Sequence, residues 1–196
     1  MLTQIKPTID NISIDQTEKP TFLGIIINQN LFWTDYISLL KNKISKNIGF
    51  IGRIRKNLPL YTLRMLYYAL INSYYDYCNI VWGIERYVHF ENLFKLQKKA
   101  VRVIIWSKWN CHSTSIFKQH DILQLFDINL VQMTCFIYRS LNGQLPPMFK
   151  DYFVQHLTVR NHITRHCLNL QLPLHRTNIR ANSIRVSGLN FWMELY

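Results

Sequence analysis

Residues Leu58–Gly83 read LPLYTLRMLYYALINSYYDYCNIVWG. The stretch holds six of the chain's eleven tyrosines, Trp82, and only two formal charges, Arg64 and Asp76. A helix that is apolar around nearly its whole circumference must be covered by other elements. The spacing predicts a helix over Leu60–Trp82, with Leu63, Tyr67, Leu70, Tyr74 and Val81 on one stripe and Met65, Tyr68, Ile71 and Tyr75 on a second flank. Buried phenols need hydrogen-bond partners, so some of these hydroxyls should reach a polar edge. An aromatic stripe of this kind belongs to a core more often than to a base-stacking platform.

Immediately upstream the character reverses. Lys41 to Lys56 carries Lys41, Lys43, Lys46, Arg53, Arg55 and Lys56 and no acid. Ile37, Leu40, Ile44, Ile48, Ile51 and Leu58 recur at helical spacing, with Thr34 or Asp35 as the expected cap and Asn57-Leu58-Pro59 as the stop, because the residue before proline avoids helical geometry. Asn42, Lys46, Gly49 and Arg53 fall opposite the apolar stripe and Lys56 lies at its edge. Gly49 costs up to ~1 kcal/mol of helix propensity relative to alanine, but leaves room for a phosphodiester backbone between Lys46 and Arg53. A solvated charged face with a tolerated glycine is the plain alternative. Arg55 falls on the apolar side, where it must pair or snorkel.

Before these helices, the β-branched run Phe22–Ile27 reads as a strand and Ile12-Ser13-Ile14 as its hairpin partner. A lone hairpin is marginal in water and needs support from another element. After Gly83, a third helix is expected over about Phe90–Ile105, with Leu93, Leu96, Ala100 and Ile104 inward and Lys95, Lys98, Lys99 and Arg102 outward as a second basic surface. Short connections favour antiparallel packing of the three helices. Trp106 to His112 reads as a loop, Ser113 and Asp127 as caps of later helices, Asn142-Gly143 as a stop, and Ser187–Leu195 as a last short helix. The fold class is therefore mainly α: an N-terminal β-hairpin (1–30), an antiparallel three-helix bundle (31–107), a helical region (108–155) and a basic, mostly helical extension (156–196).

A net charge of +12 over 196 residues points to polyanionic partners, nucleic acid or an acidic membrane surface. Asn72, Ser73, Asp76 and Asn79 interrupt the longest apolar run, which argues against a membrane span. Cys78, Cys111, Cys135 and Cys167 are widely separated and read as reduced thiols of an intracellular protein, and the first twenty residues lack a signal-peptide pattern. His162, His166, Cys167 and His175 show none of the usual zinc spacings. Adjacent Cys111 and His112 make poor nucleophile and base partners. The sequence has no Gly-x-Ser-x-Gly elbow, no glycine-rich phosphate loop and no paired carboxylates for two-metal chemistry.

A family resemblance runs through most of the chain. Phe22-Leu23-Gly24 with its isoleucine strand, Leu31 and Trp33, Ile48-Gly49, then Arg53 and Arg55 before Leu58-Pro59 resemble the thumb-side end of reverse transcriptases from non-LTR (LINE-type, jockey-like) retrotransposons. Leu66-Tyr67-Tyr68, Tyr77-Cys78, Val81-Trp82-Gly83, Leu96-Gln97-Lys98-Lys99-Ala100 and Arg102 continue the likeness. Downstream it includes His112, Ile116-Phe117, Ile122-Leu123, Asp127, Leu145-Pro146, Thr164-Arg165, Arg176-Thr177-Asn178, Ser183-Ile184, Gly188 and Trp192. Asn28 stands where family members usually carry an acid, and Ser115 where they carry proline.

The resemblance implies a fragment of an RNA-directed DNA polymerase running from the last palm hairpin through the thumb. The Tyr-x-Asp-Asp motif and the upstream palm aspartate have no counterpart here. Tyr75-Asp76-Tyr77-Cys78 lacks the second carboxylate, so the chain is expected to be inactive alone. No cofactor is expected in this fragment; the full polymerase would use Mg in its palm. By the same resemblance, Phe22, Leu23 and Gly24 are primer-grip-like. Lys43, Lys46, Gly49, Arg53, Lys56, Lys95, Lys98, Lys99 and Arg102 are the nucleic-acid-binding candidates. The partners implied are an RNA–DNA or DNA duplex and a palm domain, in the nucleus. A structural remnant or a domesticated interaction module is the alternative.

Overall fold

The periodicity around the tyrosine-rich stretch demands covering helices, and the computed structural model supplies them. It describes residues 8–10, 12–13, 17–83, 88–107, 113–154 and 170–195. Two short antiparallel hairpins come first: β1 (Thr8–Ile9) pairs with β2 (Ile12–Ser13), and β3 (Thr21–Phe22) with β4 (Ile25–Ile26). This corrects the expected pairing of Ile12–Ser13 with the Phe22–Ile27 run. Leu23 and Gly24 both take positive φ, 48° and 80°, the backbone of a type I′ turn, so the run folds back on itself. Only Ile25 of this hairpin is fully buried, against the helical core.

Helix α1 (Thr34–Ile54) buries Tyr36, Ile37, Leu40, Ile44, Ile48 and Ile51. Neither expected cap forms. Trp33 occupies the N-cap position without a side-chain cap bond, while Asp35 pairs with Lys19 at 3.1 Å. A 3-10 turn (Arg55–Asn57) leads to extended Leu58, and Pro59 stops the helix as its sequence demands.

The tyrosine-rich stretch is not one helix to Trp82. It runs as α2 (Leu60–Tyr67), a π-helical turn (Tyr68–Asn72) and α3 (Ser73–Asp76), then breaks. Tyr77 is extended and Cys78 is left-handed at φ 50°, after which α4 (Asn79–Trp82) restarts. Three bonds hold the break: Tyr77 Oη donates to Leu23 O (2.6 Å), Trp82 Nε1 to Tyr77 O (2.8 Å) and Asn79 Nδ2 to Tyr75 O (2.8 Å). The shift in phase buries Trp82 completely and leaves Val81 outside. Of the two expected apolar flanks, Leu63, Tyr67, Ile71 and Tyr75 are buried, while Met65 and Tyr68 are exposed.

Helix α5 (Val88–Ile105) lies parallel to α1 with the central stretch antiparallel between them. Tyr36 meets Trp82, which meets Phe90, at one end, and Gly52 faces Val103 near the other. The core continues into α6 (Ser113–Gln119) and α7 (Leu125–Leu141) through Ile116, Phe117, Ile122, Leu125 and Ile128. Gln124, not Asp127, is the N-cap of α7. Asp127 sits at the third helical position and closes a capping box on the Gln124 backbone N–H. Gly143, at φ 65°, ends α7 as its position after Asn142 predicts.

A second cluster packs α9 (Ile184–Leu195), preceded by short α8 (Asn178–Ala181), onto α7 through Ile137, Phe153, Leu170 and Leu189. Gly188 faces α7 at this contact, where a Cβ would lie in van der Waals contact with Ile137 Cδ1 at 3.4 Å. The last helix thus begins three residues before the expected Ser187. No helix among the described residues is long and apolar enough to cross a membrane.

Candidate nucleic-acid interface

The outer face of α1 carries Lys46, Gly49 and Arg53, and Lys56 follows in the 3-10 turn; all four are exposed. Nothing lies within 4 Å of a Cβ built on Gly49, so the backbone there is open to an approaching molecule. Arg53 folds back along the helix, its Nε donating to Gly49 O at 3.4 Å. Lys43 leans toward the central helix, Nζ 5.8 Å from the Tyr74 ring centroid. Among the described residues no acid pairs with any of these cations. An acid-free, solvent-facing row on a rigid helix is suited to tracking phosphates without reading bases.

The four candidates on α5 do not share one face. Lys95 is exposed, and Lys98 lies over Phe94 with Nζ 4.0 Å from the ring centroid. Phe94 in turn packs on Phe117 and Phe126, so Lys98 faces α6 and α7. Lys99 and Arg102 instead meet Arg55 in a cleft at the C-terminal ends of α1 and α5. Arg55, which the pattern requires to pair or snorkel, finds a backbone carbonyl and an aromatic ring as partners. Its Nη1 donates to Val103 O at 3.3 Å, and its guanidinium lies 4.5 Å from the centroid of Trp106.

Phe22 and Leu23 at the second hairpin are 65% and 72% exposed, an unusual setting for large apolar side chains. Gly24 supplies the second residue of the turn. Asn28, where the resembled family carries an acid, uses its Oδ1 to accept from Asn30 N at 2.8 Å. An aspartate would form the same local turn.

A larger cleft of about 410 Å³ lies beside the π-helical turn, lined by Tyr68, Asn72, Asp76, Asp121, Leu123 and Gln132 among others. Desolvation raises the Asp76 carboxyl above its ordinary value, while Asn72 Nδ2, donating to its Oδ2 at 2.6 Å, acts in the opposite direction. Among the described residues no group of three His, Cys, Asp or Glu side chains converges as metal ligands would. His162, His166 and Cys167 lie outside the described residues, as do Cys111, His112 and residues 156–169 of the C-terminal extension.

The buried polar residues carry no sequence signature of function. Gln97, fully buried on α5, bridges Tyr67, Leu123 and Leu125. Asn79 and Asn129 pair across α4 and α7 at 2.7 Å. The one available signal for Gln97 is its spacing, four residues after Leu93 and three before Ala100. A polar side chain on that inward face has to find its partners inside. No family model matches the chain, and neither a curated protein nor a solved structure matches it.

Proposed function

We propose that the chain is a thumb-like part of a non-LTR retrotransposon RNA-directed DNA polymerase and holds a template-primer duplex through the outer face of α1. The observation that carries this reading is the exposed row Lys46, Gly49, Arg53 and Lys56, free of acids and open above Gly49. Six buried side chains anchor the other side of the same helix, so the cations stand on a rigid support. Contacts to backbone phosphates give affinity and position independent of sequence. Polymer synthesis is not assigned to these residues, which include no carboxylate pair of the kind that two-metal catalysis needs. In the cell such a polymerase would act on nucleic acid in the nucleus. Salt-dependent duplex binding by the wild-type chain and a Lys46→Glu, Arg53→Glu variant tests the reading.

A second reading, an interaction module or structural remnant that docks on a palm domain, is favoured by one observation. Phe22, Leu23, Leu31 and Phe32 expose apolar surface at and beside a short two-stranded hairpin. Sedimentation of the isolated chain discriminates: concentration-dependent association abolished by Phe22→Ser with Leu23→Ser favours docking.

A further inference from the structure

The cleft at the C-terminal ends of α1 and α5 is lined by Arg55, Lys99, Arg102, Val103 and Ser107. At about 180 Å³ it is smaller than the ~300 Å³ at which drug-sized ligand pockets begin. It suits an inorganic-ion-sized group rather than a nucleoside. Three cationic residues line it and, among the described residues, no acid does. The two helix C-termini contribute about half a negative charge each, which the three full positive charges outweigh. The cleft is therefore electropositive despite standing at the unfavourable end of both dipoles.

A second observation concerns Ser107. Its Oγ is buried and meets no hydrogen-bond partner among the described residues. A buried hydroxyl without a partner is costly, and a ligand is one of the accepted ways to satisfy it. Arg55 is meanwhile held in place by Val103 O and Trp106, which leaves a planar, pre-oriented guanidinium at the rim. Lys99 is exposed and can swing in as a point charge.

We infer that this cleft is a phosphate-binding notch, in which Lys99, Arg55 and Arg102 hold the oxyanion and Ser107 Oγ donates to it. The inference does not depend on the duplex reading of α1, since it uses none of Lys46, Gly49, Arg53 or Lys56. The phosphate comes either free in solution or from the end of a nucleic-acid strand.

The test titrates inorganic phosphate into the full chain at constant ionic strength, followed by phosphorus NMR line width, with chloride as control. Saturable binding is expected in the wild type. Lys99→Gln and Ser107→Ala should each weaken it about tenfold, the effect of removing one charge-assisted hydrogen bond. Without phosphate, Ser107→Ala should unfold no more easily than wild type, because the hydroxyl has no partner to lose among the described residues. Lys46→Glu with Arg53→Glu should leave the phosphate titration unchanged, which separates this site from the α1 face. Tighter binding of a 5′-phosphorylated than a 5′-hydroxyl duplex, abolished in Lys99→Gln, identifies a strand end as the source; equal binding of the two identifies free phosphate. No saturable phosphate binding by the wild type, or equal binding by wild type, Lys99→Gln and Ser107→Ala, overturns the inference.

Discussion

Gln97 Oε1 accepts the backbone N–H of Leu125 at 2.8 Å, which ties the middle of α5 to the first residue of α7. The other end of the same amide donates to Tyr67 Oη at 3.0 Å and to Leu123 O at 2.9 Å. One fully buried side chain thereby satisfies three groups on two separate segments.

Replacing Gln97 with leucine fills a similar volume but strands the buried Leu125 N–H and the buried Tyr67 hydroxyl. Each unsatisfied buried group costs ~1–3 kcal/mol. The expected destabilisation, about 2–4 kcal/mol, exceeds most single-site effects and should appear in urea unfolding as a lower midpoint with an unchanged slope. A change below about 0.5 kcal/mol would show that the bridge contributes little.

Gly83 is required by space, not by its φ of −75°. A Cβ there would fall on Asn79 Oδ1 and within 2.5 Å of Asn129 Nδ2 and Asn79 O. Gly83→Ala must push apart the Asn79–Asn129 pair, and should cost about 2–4 kcal/mol by overpacking and a broken buried hydrogen bond. Asn129→Ala in the Gly83→Ala background should cost less than in wild type, since the two changes damage the same pair. Strict additivity in a double-mutant cycle would contradict this.

Three buried tyrosines set the alkaline limit. Burial pushes the Tyr36 hydroxyl up to about 12, with Cys78 and Tyr77 adding to the effect. It raises Tyr67 and Tyr75 as well, Gln97 partly opposing the shift at Tyr67. The unfolded phenol ionises near 10.0, so above that pH the unfolded chain releases protons that the folded chain retains. This contribution to stability is intact below pH 10 and is lost as pH rises toward the folded values. Each tyrosine removes up to about 1.4 kcal/mol per pH unit in that window. Tyr75→Phe, which also gives up a 3.2 Å bond to Leu93 O, should reduce the alkaline slope by about a third in urea unfolding at successive pH values. An unchanged slope would mean that Tyr75 does not contribute.

For duplex binding, the double charge reversal Lys46→Glu, Arg53→Glu should weaken affinity equally for unrelated sequences. The logarithmic salt slope should flatten by ~0.9 for each phosphate no longer neutralised on B-form DNA. Affinity measured from about 50 to 200 mM salt by fluorescence anisotropy reads both effects. A slope identical to wild type would remove α1 from the interface.

The helical stripes were legible without coordinates. Ile37, Leu40, Ile44, Ile48 and Ile51 repeat at the helical period, and all five are buried on α1. The same arithmetic places Lys46, Gly49 and Arg53 outside, where they are found. Proline at 59 and glycine at 143 mark their ends because their covalent structure limits or frees φ locally. Periodicity failed where a distant atom decides the backbone. Continuing the stripe through Tyr77 and Cys78 buries Val81, yet Tyr77 donates to Leu23 O across 54 residues and the helix breaks. The isoleucine run at residues 25–27 reads as one strand with Phe22, but the Leu23-Gly24 turn divides it.

By itself the sequence determined which faces are apolar, which are basic and where the helices stop, since these follow from side-chain solvation and backbone covalency within a few residues. Tertiary structure alone decided that Gln97 belongs inside, that Trp82 rather than Val81 faces the core, and that Arg55, Lys99 and Arg102 meet at one cleft. Hydrogen bonds and side-chain packing between segments 26 to 54 residues apart make those choices, and their partners are brought together only when the helices pack.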